Sequence, residues 1–201
     1  MVAEGLNLAF LSGNSICGVI DIHAAGDGRP NRIIERVGRY GSPQKEELEH
    51  GFPEEARFLK NGPNEALLMG ARSTYPTVGG ADWICRKSEH WLFAGTGMKS
   101  GDGIPGLVGW EWHGDPAPIP SLEVVASGRT QSPRGEGTYT ATIYPGPKGN
   151  IVFNAATCWW GDGLSAPPGY IHPKAHTAEP QGPDPRCRKI TANLLERMKN
   201  S

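Results

Sequence analysis

Glycine and proline limit what this chain can fold into more than any other feature of its sequence. The 201 residues include 28 glycines and 18 prolines, so more than a fifth of the positions interrupt helices and strands. This composition predicts short regular elements separated by turns and irregular loops. Because only 37% of the residues are hydrophobic, we expect a modest core, and the length favours a single domain over residues 1–201.

The charges are balanced and give no sign of a polyanionic partner. Twenty basic residues stand against 21 acidic ones, the net charge is -1, and no long run of either sign occurs. We therefore expect neither nucleic acid nor a membrane surface as a partner. No apolar run is as long as a membrane span, and the first residues lack the basic start and apolar core of a secretory signal, so we expect a cytoplasmic protein.

A few segments give clear local signals. Alternation and β-propensity predict strands at 6–11, 122–127, 138–144 and 150–155. Ser42 followed by Pro43 starts a short surface helix at 42–50, and a similar helix is expected at 53–59. Asp184 is expected to cap a final helix that reaches Met198, because apolar residues recur there at helical spacing.

The stretch 91–116 is where we expect the chemistry. Its first apolar run, 91–94, is predicted to be a buried strand, and a second run, 104–112, carries Glu111 between Trp110 and Trp112. A carboxylate in such surroundings is either desolvated or held by a positive partner such as a metal. Alternatively, Glu111 faces away from both tryptophans and is the solvated side of an amphipathic strand.

The cysteines do not form a zinc motif. They are far apart and include no CxxC pair: Cys17, Cys85, Cys158 and Cys187. We expect them to be reduced and mostly buried, with Cys158 serving as inert packing. A weaker alternative makes Cys17 a nucleophile with His23 or His113 as its base.

Several segments, in their order and spacing, resemble a known family. They are Phe-Leu-Ser-Gly-Asn at 10–14, Asp-Trp at 82–83, Trp-Leu-Phe-Ala-Gly-Thr-Gly at 91–97, Gly-Leu-Val-Gly-Trp-Glu at 106–111, Phe-Asn-Ala-Ala-Thr at 153–157 and Ile-Thr-Ala-Asn-Leu at 190–194. Together they resemble the C-terminal domain of the large (beta) subunit of N,N-dimethylformamidase. The likeness runs over nearly the whole chain.

The resemblance implies a fold and a chemistry. The fold is α/β, a loop-rich, flavodoxin-like open sheet with flanking helices, similar to class I glutamine amidotransferases. The chemistry is amide hydrolysis at an iron held by two tyrosines and one glutamate, and Glu111 is the position that matches this glutamate. The tyrosines that could approach it are Tyr40, Tyr75, Tyr139, Tyr144 and Tyr170, and none lies in a stretch that matches the family's ligand tyrosines.

The resemblance also implies that the first strands of the sheet are missing, since the chain opens at a middle strand of the expected domain. An unpaired sheet edge must be covered in a soluble protein. The chain is therefore expected to be a fragment of a larger subunit, a diverged stand-alone protein, or a domain completed by a second copy of itself or by a companion chain.

Two functions follow from these observations. The first is iron-assisted hydrolysis of a small amide, with Glu111 as a metal ligand, His113 or His90 as acid or base, and Asp115 orienting one of them. The second is a non-catalytic interaction or assembly domain that has lost the iron site, in which the tryptophans form a partner surface.

The candidate segments also predict a shared cleft. The loops after Leu11, after Ala94, at Glu111 and after Phe153 each follow an apolar run and carry glycine or small polar residues. Open α/β sheets place such loops at one edge, where ligands bind. We therefore expect these four loops to converge there.

Overall fold

The computed structural model describes residues 2–13, 15–16, 18–39, 65–133, 135–171 and 181–201. The chain divides into two compact units, one of Met1–Ser15 with Ala66–Ser201 and one of Ile16–Glu65. The surface helices predicted at 42–50 and 53–59 lie outside the described residues. Organisation as a single domain stays a prediction.

Most of the described elements are short, as the glycine and proline content predicts, and the longest are two strands of 10 and 11 residues and a final helix of 15. The strands of the described part are β1 (Leu8–Phe10), β2 (Gly18–His23), β3 (Ile33–Arg39), β4 (Ala71–Pro76), β5 (Ala81–Ile84), β6 (Gly103–Val108), β7 (Glu111–Pro116), β8 (Glu123–Ser132), β9 (Gly135–Pro145) and β10 (Ile151–Asn154). The α-helices are α1 (Ala66–Met69), α2 (Trp160–Leu164) and α3 (Pro185–Lys199), and single 3-10 turns lie at Val2–Glu4 and Trp91–Phe93.

The larger unit is built around a four-stranded sheet in the order β1-β10-β9-β8. β1 runs parallel to β10, with Phe10 opposite Asn154, while the other neighbours are antiparallel. The protein is thus of mixed α/β class, with mostly strands in open sheets and few helices. The flavodoxin-like arrangement is not confirmed, because β1 and β10 are the one parallel pair among the described strands.

Two further strand pairs of the larger unit hold the candidate residues. β7 pairs antiparallel with β4, and β5 pairs antiparallel with β6. An isolated bridge joins Trp112 of β7 to Thr157, just after β10. The smaller unit contains the antiparallel pair β2–β3. In the described part of the chain, no helix has both the length and the apolar character needed to cross a membrane.

The core of the larger unit lies between the sheet and α3. Trp83 packs edge-on against Trp160 with ring centroids 5.2 Å apart, and its indole N–H donates to the carbonyl of Ala155. α3 buries one face, which carries Cys187, Ile190, Thr191 and Leu194. Asp184 caps α3 by accepting from the N–H of Arg186, so the predicted final helix and its cap are confirmed.

The apolar runs of the 91–116 stretch form different elements from those predicted. The prediction of a strand at 91–94 is wrong, because Trp91–Phe93 is a 3-10 turn. In this turn the Leu92 N–H donates a hydrogen bond to the His90 side chain. The second run does not continue as one strand either. It breaks at 109–110 into β6 and β7, so that Glu111 is the first residue of a new strand.

Candidate functional site

Glu111 lies half-buried at the start of β7, in close contact with the loop that follows β1. A Cβ atom placed on Gly13 would lie 2.6 Å from Glu111 Cβ and 2.8 Å from the sulfur of Cys158. Real Cβ atoms do not approach neighbours so closely, so position 13 requires glycine. The loops that follow β1 and β10, which are adjacent parallel strands, are thereby brought to the same residue, Glu111.

Cys158 contacts both Gly13 and Glu111. Its sulfur accepts from the Gly13 N–H at 3.0 Å and lies 4.0 Å from Glu111 Oε2, while its own N–H donates to the Glu111 carbonyl at 3.3 Å. Burial raises the pKa of the Cys158 thiol to about 11. The group is therefore a neutral S–H that donates to the carboxylate, where the sequence predicted only inert packing.

His113 lies two residues along β7 and is fully buried, with 0% of its surface exposed. Its Nδ1 is 2.6 Å from Asn154 Oδ1, and that oxygen also accepts from the Ala156 N–H, while Asn154 Nδ2 donates to the Met69 carbonyl. Asn154 Oδ1 is thus an acceptor, so we assign the imidazole proton to Nδ1. The lone pair of Nε2 then has no hydrogen-bond partner among the described residues.

Burial also determines the charge of His113. It lowers the pKa of the imidazole to about 4, against a smaller opposite effect of the Asn154 hydrogen bond. The side chain is therefore neutral at physiological pH. It presents an unprotonated nitrogen on the strand that carries Glu111.

The backbone beside these two residues is strained. Trp110, immediately before Glu111, has φ 63°, and Ala156, which accepts from the His113 N–H, has φ 62°. The Glu111 N–H donates to the Gly109 carbonyl across Trp110, which makes a three-residue γ-turn. Left-handed conformations of residues other than glycine cost of the order of 1–3 kcal/mol and cluster at functional sites.

The other two predicted acid–base residues are placed elsewhere. Asp115 is exposed towards the end of β7, and the role of orienting His113 belongs to Asn154. His90 precedes the 3-10 turn and lines a cavity with Glu123, and neither Glu111 nor His113 lines that cavity. The structure therefore brings Glu111 and His113 together on one strand and separates His90 from them.

Three of the four predicted loops meet. The loops after Leu11 and after Phe153 contact β7 through Gly13, Cys158 and Asn154. The loop after Ala94 instead contacts α3, where the Asn193 amide donates to the Ala94 carbonyl at 2.8 Å. The loop after Ala94 lies elsewhere because the segment before it, 91–93, is a 3-10 turn and not a strand of a sheet.

The described residues do not complete the iron site that the resemblance implies. Among them, no group of three His, Cys, Asp or Glu side chains is placed to hold a metal ion. The described phenol groups of three candidate tyrosines are engaged elsewhere: Tyr139 donates to Asp82 O, Tyr144 donates to Leu68 O, and Tyr170 donates to Asp162. Glu111 thus supplies one hard oxygen ligand. The two tyrosine ligands of the implied iron site are not found among these three phenol groups.

One candidate tyrosine, Tyr75, belongs to β4, the strand that pairs with β7. It precedes Pro76, which is paired with Glu111 across β4 and β7. Tyr40 and Cys17 both lie outside the described residues. Among the described side chains, the fit to an iron site is therefore partial, with one carboxylate in place.

Sequence reasoning placed Asn154 at the expected cleft but did not predict its role, which is to fix the orientation of His113. The available signal was its position, since it follows the apolar residues 151–153 and stands within one of the segments that carried the resemblance. Polar residues at the end of a buried strand are frequently part of sites at that sheet edge.

Comparison with known proteins gives one finding for this chain. A family model described as N,N-dimethylformamidase beta subunit-like, C-terminal, matches residues 1–176. No curated protein matches the chain.

Proposed function

Since the chain belongs to the family of N,N-dimethylformamidase beta subunit-like C-terminal domains, we propose that it is a dimethylformamidase-like domain that hydrolyses the C–N bond of a small amide. The observation that carries this proposal is the position of Glu111. It is a half-buried carboxylate at the meeting point of two loops, with a required glycine and a neutral thiol against it.

The chain's own groups support a site for a small polar ligand at Glu111. Glu111 is half-buried, Gly13 presents no side chain, and Cys158 donates a weak S–H bond to the Glu111 carboxylate. The strained γ-turn at Trp110 holds the carboxylate at the first position of β7. Hydrolysis transfers a hydroxyl from water to the carbonyl carbon and a proton to the departing nitrogen.

Iron is part of this proposal. Glu111 would hold it through its carboxylate. When bound, iron supplies a Lewis acid that polarises an amide carbonyl and lowers the pKa of water. Nothing in the site requires a flavodoxin-like sheet, and that sheet stays a prediction.

Of the predicted acid–base residues, His113 has the position that suits the proposal. Its Nε2 lone pair, which has no partner among the described residues, is able to accept a hydrogen bond, whereas its lowered pKa makes it a weak proton acceptor. We therefore propose a positioning role for His113 as a neutral acceptor. Asp115 is exposed and His90 lines a different cavity, so we assign them no step.

Release of dimethylamine from N,N-dimethylformamide tests the proposal. The chain should be assayed after iron reconstitution, alone and with any chain that copurifies. We expect Glu111→Gln to reduce the rate by more than roughly 100-fold, because the replacement keeps the shape and removes the charge. The matched control is Glu136→Gln, which removes an exposed strand carboxylate paired with Arg129 and should leave the rate unchanged. Equal rates in both variants would contradict the assignment.

A second candidate function is favoured by the incomplete donor set at Glu111 among the described residues. In this alternative the domain serves assembly, in keeping with a family description that names a subunit. Its mass in solution, measured by light scattering together with metal analysis, separates the two. A metal-free oligomer or complex favours assembly, and a monomer with stoichiometric iron excludes it.

A further inference from the structure

A cavity of about 180 Å³ lies beside α3 and is open to solvent. The side chains that matter for its chemistry are His90 and Trp91 from the 3-10 turn, Glu123 at the start of β8, and Arg197 in the last turn of α3. Ile143 of β9 and Ile151 of β10 supply its apolar wall. Its size suits a ligand of a few carbon atoms, since sites for drug-sized molecules are roughly 300–1,000 Å³.

Arg197 brings an uncompensated positive charge to the cavity. Its guanidinium carbon lies 5.7 Å from the centre of the Trp91 ring, which holds the group by a cation–π contact. Among the described interactions, the Arg197 guanidinium makes neither a hydrogen bond nor an ion pair. By contrast, Arg186 on the same helix is paired with Asp184 at 2.7 Å.

The acidic residue of the lining is already neutralised. Glu123 Oε2 lies 2.7 Å from Lys87 Nζ, and this hydrogen bond lowers the pKa of the carboxyl, which is therefore ionised and paired. With Lys87 beside Glu123, the charge of Arg197 remains in excess. The cavity therefore favours a monoanion.

His90 supplies a hydrogen-bond donor of fixed orientation. Its Nδ1 accepts from the Leu92 N–H at 3.2 Å, so the proton of the neutral ring is on Nε2. Burial lowers the pKa of His90, which favours this neutral form. Nε2 lies 3.8 Å from Glu123 Oε1, which is longer than a hydrogen bond, so the N–H is available to a ligand.

We propose that this cavity binds a small aliphatic carboxylate. The carboxylate would accept from the Arg197 guanidinium and from the His90 Nε2–H, and its hydrocarbon part would pack against Ile143, Ile151 and the Trp91 ring. Arginine is suited to this role because its fork of N–H donors matches the two oxygens of a carboxylate. The site does not involve Glu111 and is independent of the proposed hydrolysis.

Isobutyrate and isobutyramide form a matched pair of probes, equal in shape and different in charge. Each is titrated into the whole chain, with the Trp91 indole N–H resonance as the reporter. We expect saturable binding of isobutyrate and at least roughly tenfold weaker binding of isobutyramide, equivalent to the loss of one charge-assisted contact.

Variants locate the site and separate it from the proposed hydrolysis. Arg197→Gln should weaken isobutyrate binding at least roughly tenfold, whereas Lys199→Gln, which removes an exposed charge two residues away, should not. Glu111→Gln should bind isobutyrate like the unaltered chain.

The proposal is overturned by absence of saturable isobutyrate binding, by equal binding of the amide, or by equal losses of isobutyrate binding in the Arg197 and Lys199 variants. Circular dichroism of each variant checks that the replacement leaves the fold intact.

Discussion

Glu111 and His113 are two residues apart on one strand, yet their surroundings give them opposite character. Glu111 is partly exposed, with a thiol and a glycine backbone beside it, whereas His113 is fully buried and neutral. The sequence singled out both because of their tryptophan neighbours. It could not give the difference in burial, because this depends on Asn154 and Met69, which are distant along the chain.

The burial of His113 predicts a specific loss of stability in acid. Its pKa is about 4 in the folded protein, against an ordinary value of 6.5 for an exposed imidazole. Between these values the unfolded chain binds a proton that the folded chain does not, so this contribution to the free energy of unfolding is fully present above pH 6.5 and falls as the pH decreases to 4. The difference corresponds to about 3 kcal/mol.

Urea denaturation at pH 7.5 and pH 4.5 measures this effect. The drop in unfolding free energy between the two pH values should be smaller in His113→Gln than in the unaltered chain. His23→Gln is the matched control, since His23 is an exposed strand histidine and its removal should leave most of the drop in place. An identical drop in the His113 variant and the unaltered chain would show that His113 is protonated, or accessible, in the folded state.

At the scale of elements, local signals explain what the sequence predicted correctly. β9 contains the alternating Thr-rich segment 138–144, and α3 begins at its aspartate cap. The same reasoning failed at 91–94, because a short apolar run does not distinguish a strand from a buried turn. There the His90 side chain satisfies the Leu92 N–H and stabilises the turn.

The break between β6 and β7 is associated with a tertiary contact, which local sequence patterns cannot predict. A Cβ atom on Gly109 would lie 2.1 Å from the ring of Trp159, which is 50 positions away, so the backbone at 109 packs directly on that indole. The chain then turns through Trp110, with φ 63°, before Glu111 begins β7. The start of the proposed site thus depends on a tertiary contact.

Replacing Gly109 by alanine should therefore destabilise the fold. We expect a loss of at least roughly 1–3 kcal/mol in the free energy of unfolding, typical of overpacking a filled interior. Gly161→Ala is the control, because a Cβ at that position of α2 meets nothing within 4 Å. Chemical denaturation compares the two. If both variants were as stable as the unaltered chain, the close packing of Trp159 on the backbone would be incorrect.

At the scale of the whole molecule, the sequence predicted that loops meet at one edge of a sheet, but it did not predict the order of the strands in that sheet. The loops after Leu11 and Phe153 and the start of β7 do meet, because β1 and β10 are adjacent and parallel. The order β1-β10-β9-β8 joins strands from the two ends of the larger unit. Such long-range pairing is set by the burial of whole faces, and no local motif encodes it.

The family relationship gives this arrangement its functional meaning. The match covers residues 1–176 and therefore includes Glu111, Gly13, Cys158 and Asn154, while α3 lies beyond it. The carboxylate site is thus expected to belong to the family's domain. Of the residues that line the Arg197 cavity, Arg197 lies beyond the match and the others lie within it.

Iron stoichiometry by mass spectrometry decides whether Glu111 is the carboxylate of a metal site. The unaltered chain, Glu111→Gln and Glu136→Gln are produced with iron supplied, purified identically, and compared at equal protein concentration. We predict about one iron per chain, as expected for a single mononuclear site, in the unaltered protein and in Glu136→Gln, and a reduction of at least roughly tenfold in Glu111→Gln. Equal iron in all three proteins, or no iron in the unaltered chain, would contradict the assignment of Glu111 as a ligand.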